Sequence, residues 1–357
     1  MSCSNMGYYG LYEGKLIEPE YAGSRRQEVE NMSSRNALLL TRMVVFSAAF
    51  GVLCAIGCAQ TQTTDNRTTS ESPLLQLREM DMHLHAGMER RVPLDEWVEL
   101  AASDGRKAML LLDHIELYRK TQAEYESWAR EDGFRLWYPV GSAGHKALMA
   151  DFDRVAKKRR GDLLIFKGWE IDSRELDGDL ETEPMRMADV LGWHISPNNG
   201  GEAPDGQLLI KRAKQLQALQ KEFPVPMILF HPFSMRIENI VNTAQKQGRD
   251  ISTITVEEYR FFQPGEQEQL AEVLRGRSIY VEINRAYEGC WKNPVVREAF
   301  IADIRPLAEA GVQFTIGTDH HGLREAQQPF HPEEYCGELG VTPENANGII
   351  RELRLKR

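Results

Sequence analysis

Asp81-Met82-His83-Leu84-His85 is the stretch on which the reading of this chain turns. Side chains two apart on a strand share a face, so Asp81, His83 and His85 point one way while Met82 and Leu84 point to a layer of helices. Two neutral imidazoles side by side can hold one dication. Three more segments end an apolar run with residues of the same types: Asp113-His114, Phe230-His231-Pro232 and Asp319-His320-His321. Together with Gly192-Trp193-His194 they carry seven of the nine histidines, whereas a chain using histidine for general surface polarity would scatter them. The pattern points to a multi-metal hydrolase site.

From residue 74 onward, short apolar runs alternate with longer amphipathic stretches, the signature of βα units around a mostly parallel sheet. Strands are expected near 78–85, 107–113, 162–169, 189–194, 226–231, 278–283 and 312–319. Helices are expected at Leu94–Ser103, Lys146–Arg159, Leu208–Glu222, Gly265–Arg275 and Pro294–Ala310. Thr342-Pro343-Glu344 reads as the capped start of a closing helix, with proline at the first helical position. The ligand-type residues all fall at the carboxyl ends of the strands, which share one rim in a parallel barrel. A single α/β barrel of roughly 250 residues fits the length. The insertions at 118–145 and 173–187 would shape a pocket over that rim.

Each residue has a plain alternative. Asp113 and His114 leave a fully apolar strand as ligands, or as a helix cap and a loop residue. Glu170 could bridge two metals, or form a surface ion pair with Lys167 or Arg174. His194 could be a ligand or a satisfied core histidine. His231 is more telling, because Pro232 ends its strand and leaves the imidazole at the rim. Asp319 and His321 share a face and are expected as ligands, while His320 should point the other way. Glu282 and Asn284 share a strand face, to orient ligands or simply to close a polar layer. Arg285 and Arg236, each just beyond a rim segment, could grip phosphate oxygens bidentately or be ordinary surface arginines.

The formal net charge of −10 argues against broad contact with nucleic-acid phosphates, so no nucleic-acid partner is expected. Dications in a cleft would still allow phosphate chemistry there. Arg35 and Arg42 precede an uncharged stretch, Met43 to Gly57, of signal-peptide length, and Ala55-Ile56-Gly57-Cys58 resembles the end of a bacterial lipoprotein signal. Residues 1–31 read as a mis-called extension, 32–58 as the signal, 59–73 as a solvated tether and 74–357 as the catalytic domain. The expected location is the bacterial cell envelope, lipid-anchored through Cys58 or secreted. After Cys58 only Cys290 and Cys336 remain, as a disulfide or as two free thiols.

The ordered set Asp-x-His-x-His, Asp-His, Gly-x-Glu, a lone His, His-Pro, Glu-x-Asn and Asp-x-His, from about Glu79 to Leu323, resembles the PHP (polymerase and histidinol phosphatase) family. The resemblance implies a distorted seven-stranded β/α, TIM-like barrel with two or three divalent ions, zinc, manganese or iron. It implies hydrolysis of a small phosphate ester by a metal-activated hydroxide. Carried over by position, His83, His85, Glu170 and Asp319 would surround one ion. Glu170 would bridge to a second held by His194 and His231, and His114 and His321 would belong to a third. Glu89 is a candidate further ligand for the third ion. The catalytic set is then Glu170, Asp319 and Arg285. The rival reading is the amidohydrolase superfamily, cleaving an amide, lactone or phosphotriester, in which Lys167 would imitate a carbamylated, metal-bridging lysine. A tethered envelope protein that binds metal or a glycan without turnover is a third.

Overall fold

The computed structural model describes residues 73–357 except 87–92, 125, 128–137, 179, 196–203, 323–326 and 328–329. The signal-like segment, Cys58, the tether and Glu89 lie outside the described residues. No helix among the described residues is long and apolar enough to cross a membrane.

Seven strands pair in parallel and in sequence order: β1 Met80–Leu84, β2 Ala108–Leu111, β3 Leu164–Asp172, β4 Val190–His194, β5 Met227–Phe230, β6 Ile279–Asn284 and β7 Phe314–Gly317. They form a nearly closed β/α barrel. The seam is sealed by a parallel bridge from Leu84 to His320, where the His85 amide donates to the His320 carbonyl at 3.0 Å. The barrel is distorted, since the register of β1 on β2 slips between Asp81 and Leu84. Every residue of β1, β2, β5, β6 and β7 is buried, as expected of parallel strands covered on both faces.

The larger helices between strands are α1 Leu94–Ser103, α2 Ser142–Lys158, α3 Gly206–Leu219, α4 Pro232–Lys246, α5 Glu266–Leu274, α6 Ala286–Trp291 and α7 Pro294–Glu309. Helix starts carry local caps: Asp205 accepts the Leu208 amide at 3.0 Å before α3, and Asn293 accepts that of Val295 at 3.0 Å before α7. After β7 come α8 Glu333–Leu339, a capped turn Pro343–Ala346 and α9 Gly348–Leu355. The closing helix expected from Pro343 is therefore interrupted at Asn347. That buried amide is drawn to the start of the fold, donating to the Leu75 carbonyl at 2.8 Å and accepting the Leu75 amide at 3.0 Å. Cys290 and Cys336 are both free thiols.

Candidate metal centre

β1 carries His83 and leads directly into His85 at the barrel mouth, both fully buried, with their Nε2 atoms 3.1 Å apart. β3 is longer than its apolar run, so Glu170 sits inside the strand rather than at its exit, almost completely buried. Glu170 is the hub. Its Oε2 lies 2.8 Å from His85 Nε2, 3.3 Å from His114 Nε2 and 3.5 Å from His83 Nε2. Its Oε1 lies 3.2 Å from both His194 Nδ1 and His231 Nε2. The alternative of a surface ion pair fails, because Lys167 pairs with Asp153 and Arg174 with Asp172. Asp319 closes the far side, with Oδ1 at 3.3 Å from His83 Nε2 and 3.2 Å from His85 Nε2.

Two turns at this mouth are strained. Among the described residues, His231 (φ 31°) and Asp319 (φ 59°) are the non-glycine positions with positive φ. Such conformations cost on the order of 1–3 kcal/mol each and persist only where their surroundings hold them. For Asp319, the amide donates to the His83 carbonyl at 2.8 Å, and the preceding Thr318 is bound to the buried Asp81 carboxylate. For His231, the amide donates to Glu282 Oε2 at 2.7 Å, and Pro232 opens α4 immediately after it. His231 thus lies at a strand-to-helix corner, and Pro232 starts a helix as well as ending a strand.

Three sets of donor atoms lie within 4.8 Å of one another: His83, His85, Glu170 and Asp319; His114, Glu170 and His194; and His85, His114 and His321. The expected grouping is redrawn in one respect. His114 stands with Glu170 and His194 as well as with His321, while His231 approaches the same Glu170 oxygen as His194. His320 turns away from the cluster, as the strand period predicts, and its Nε2 receives a hydrogen bond from Arg285 Nη1. Arg285 also faces Glu288 at 3.6 Å. Arg236, on α4, keeps a buried Nε without a hydrogen-bond partner among the described residues.

Charges inside the cluster compensate one another. Burial alone would raise Glu170, yet the imidazoles of His114, His83 and His194 hold it well below the usual carboxylate range. Burial would likewise raise Asp319, and His83 and His85 hold it down. His83 and His194 run the other way: burial opposes their protonation, but Glu282, Asp319 and Glu170 raise His83, and Glu170 with Asp172 raises His194. Burial keeps His114 well below its ordinary value and His321 at about 4.

Divalent ions fit this donor set. His83 Nδ1 donates to Glu282 Oε1 at 3.0 Å and His321 Nδ1 to the Asp319 carbonyl at 3.0 Å, so in the neutral rings both Nε2 lone pairs remain for the cluster. Glu170 Oε2 and the Nδ1 of His194 are buried without a hydrogen-bond partner among the described residues, despite close neighbours. Donor atoms crowded at these distances need either shared protons or a shared cation between them, and the set of imidazoles and carboxylates suits the cation.

Asp172 was not anticipated. It pairs in register with His194, its Oδ2 stands 3.7 Å from His194 Nε2, and Arg174 Nε donates to it at 2.8 Å. The signal was present in sequence, since Glu170 and Asp172 are two apart on one strand. Asp113 is also a support rather than a cap: it accepts the His114 amide at 2.9 Å and the Tyr118 hydroxyl at 2.7 Å.

No family model and no curated protein matches the chain. Solved structures do. A protein from Listeria monocytogenes described as a histidinol phosphatase superposes with a TM-score of 0.44 at 14% identity, covering 72% of this chain and 100% of its own. Histidinol phosphate phosphatase from Lactococcus lactis, solved with zinc, L-histidinol and phosphate, gives 0.44 at 12%, covering 74% and 94%. Phospho-2-dehydro-3-deoxyheptonate aldolase from Thermotoga maritima gives 0.29 at 13%, covering 81% and 74%. At such values these likenesses assign neither family nor activity, and the chemistry of the site rests on its own side chains.

Proposed function

We propose that this chain is a metal-dependent phosphoesterase of the PHP type, acting on a small phosphate ester. The observation that carries the reading is Glu170, a buried carboxylate with three imidazoles about one oxygen and two about the other. Such a group suits a bridge between two ions, with His83, His85 and Asp319 on one side and His194 and His231 on the other. His114 and His321 extend the cluster towards a third position. Zinc, manganese and iron all suit imidazole with carboxylate.

Divalent ions bound there would supply Lewis acidity towards a phosphoryl oxygen and lower the pKa of water. The chain supplies the rest. Glu282 and the Asp319 carbonyl orient two imidazoles, and His83, His85 and Glu170 lie buried away from bulk water. Glu170 and Asp319, held ionised by their neighbours, would balance the cationic charge of the ions. Arg285, held by His320, is the group proposed to bind a non-bridging phosphate oxygen.

The amidohydrolase alternative draws no support from Lys167. Its ammonium pairs with Asp153 of α2 at 2.7 Å, on the helical side of β3, in place of bridging the cluster. The N-terminal segment is proposed to anchor the enzyme in a bacterial envelope through a lipid on Cys58, which metabolic labelling with a fatty-acid analogue and Cys58→Ser would test.

The functional test is metal analysis of the purified chain beside hydrolysis of an aryl phosphate, with and without chelator, using Glu170→Ala as control. Two or more ions per chain and chelator-sensitive hydrolysis lost in the variant are expected. Stoichiometric metal with turnover of an amide or lactone but no phosphate ester would overturn the phosphoesterase reading, and a chain that holds no metal would overturn both.

A further inference from the structure

Glu282 is completely buried on β6, and both of its carboxylate oxygens accept hydrogen bonds. Oε1 accepts from His83 Nδ1 at 3.0 Å and from Asn284 Nδ2 at 3.1 Å, while Oε2 accepts the His231 amide at 2.7 Å. One carboxylate therefore reaches a ring on β1 and a strained turn after β5. Space for it is made by Gly317 on β7, where a Cβ would stand 2.0 Å from Glu282 Oε1 and 2.6 Å from His83 Cβ.

We propose that Glu282 is the positioning residue that couples the two halves of the metal centre, Oε1 fixing the tautomer of His83 and Oε2 fixing the left-handed turn that presents His231. The proposal rests on the metal-centre reading above. It goes beyond that reading in making the two ions interdependent, although His83 and His231 belong to different sides of Glu170.

The chemistry demands a carboxylate. A glutamine of the same shape has one acceptor oxygen for donors on both sides. If its oxygen faces His83, its amide hydrogens meet the His231 N–H and the corner loses its support. If its oxygen faces His231, its NH2 meets His83 Nδ1, which must then become the acceptor. The ring proton moves to Nε2, and the lone pair needed by an ion is lost. Either way one end of the carboxamide meets a donor from which it cannot accept, the His231 amide or Asn284 Nδ2, and because both ends lie on one rigid plane, the shift that relieves this contact also displaces the opposite end from its ligand.

The test is Glu282→Gln in the full chain, read by stepwise zinc titration and by the ring 15N shifts of His83 in the metal-free protein, with circular dichroism as the check of folding. The expected result is a folded chain in which both binding steps weaken by about 10–100-fold, the range usual for loss of a group that orients a ligand. A His83 ring or a His231 amide displaced from its wild-type signal should accompany the loss. A folded variant that binds both ions like wild type, or that loses one step while the other is unchanged, overturns the proposal. If Glu282→Gln does not fold, Glu282→Asp decides: it keeps both acceptors but is one methylene too short, so both steps should weaken, and unchanged or single-step binding overturns the coupling. A wild-type chain that takes up no zinc fails differently, because it removes the metal-centre reading itself.

Discussion

Asp81 reaches across the barrel seam to Thr318, accepting its amide at 3.1 Å and its hydroxyl at 2.8 Å. Burial raises the Asp81 carboxyl, and these donors, with Arg106, work against that shift. Thr318→Val removes the hydroxyl and leaves a buried acceptor short of a partner, which should destabilise the fold by about 1–3 kcal/mol. Urea unfolding of the metal-free chain measures it, and an unchanged midpoint would mean the seam does not depend on this contact.

Ions bound only by the folded chain stabilise it by mass action, about 2.7 kcal/mol at a free concentration 100 times Kd. Chelator should therefore lower the thermal midpoint by several degrees in calorimetry, and returning zinc or manganese should restore it. Identical scans with and without chelator would contradict a resident metal.

Acid should weaken loading, and the dependence should continue above the ordinary histidine range. His83 and His194 are raised well above their usual value in the metal-free cluster, so they still carry protons where a free imidazole is neutral. An arriving ion must displace those protons, so affinity rises with pH until their raised values are passed and falls as pH drops. Zinc titrations from about pH 6 to about pH 9, with proton release followed in parallel, check the sign against an ordinary histidine near 6.5. Affinity that levels off at about pH 7 would argue that these rings are not raised.

Gly317→Ala puts a methyl group where Glu282 Oε1 and the His83 Cβ already stand. Overpacking of this kind costs about 1–3 kcal/mol. Because the crowded groups hold a ligand, metal affinity should fall with stability. Denaturation and zinc titration of one preparation would separate this from a purely structural loss.

Lys167→Ala should do little. The ion pair with Asp153 lies at the surface, with the aspartate side chain 61% exposed, and such pairs contribute at most about 1 kcal/mol. Metal content and hydrolysis should match wild type, whereas a bridging carbamylated lysine would make the variant inactive and metal-poor.

The strands were legible wherever an apolar run ended abruptly. Met109 to Leu112 and Met227 to Phe230 read as buried strands, and polar residues or proline mark their ends. β3 was less legible, because Gly168 and Trp169 follow Lys167 and the strand continues through Glu170 to Asp172. Gly168 allows that continuation by close approach, since a Cβ there would stand 2.7 Å from the Val190 carbonyl oxygen. The convergence of histidines on one rim followed from strand period and parallel order alone. Their division into sets did not, because whether His114 stands nearer His194 or His321 depends on how separate loops meet in space. Helix α4 is signalled by Pro232 at its first position, but the same proline also reads as the end of a strand, and sequence alone does not separate the two.

The bridge between Leu84 and His320 has a consequence for the timing of assembly. His83 and His85 lie near the beginning of the described fold, while Asp319 and His321 follow its last strand. During synthesis the early ligands emerge long before their late partners, and a ribosome paused within β6 would carry a chain that has Glu170 but no Asp319. The complete ion cradle can form only once the final strand has docked against the first, a long-range contact expected to come late in folding. Metal uptake would then mark a finished chain, and products truncated before β7 would lack the full set of ligands.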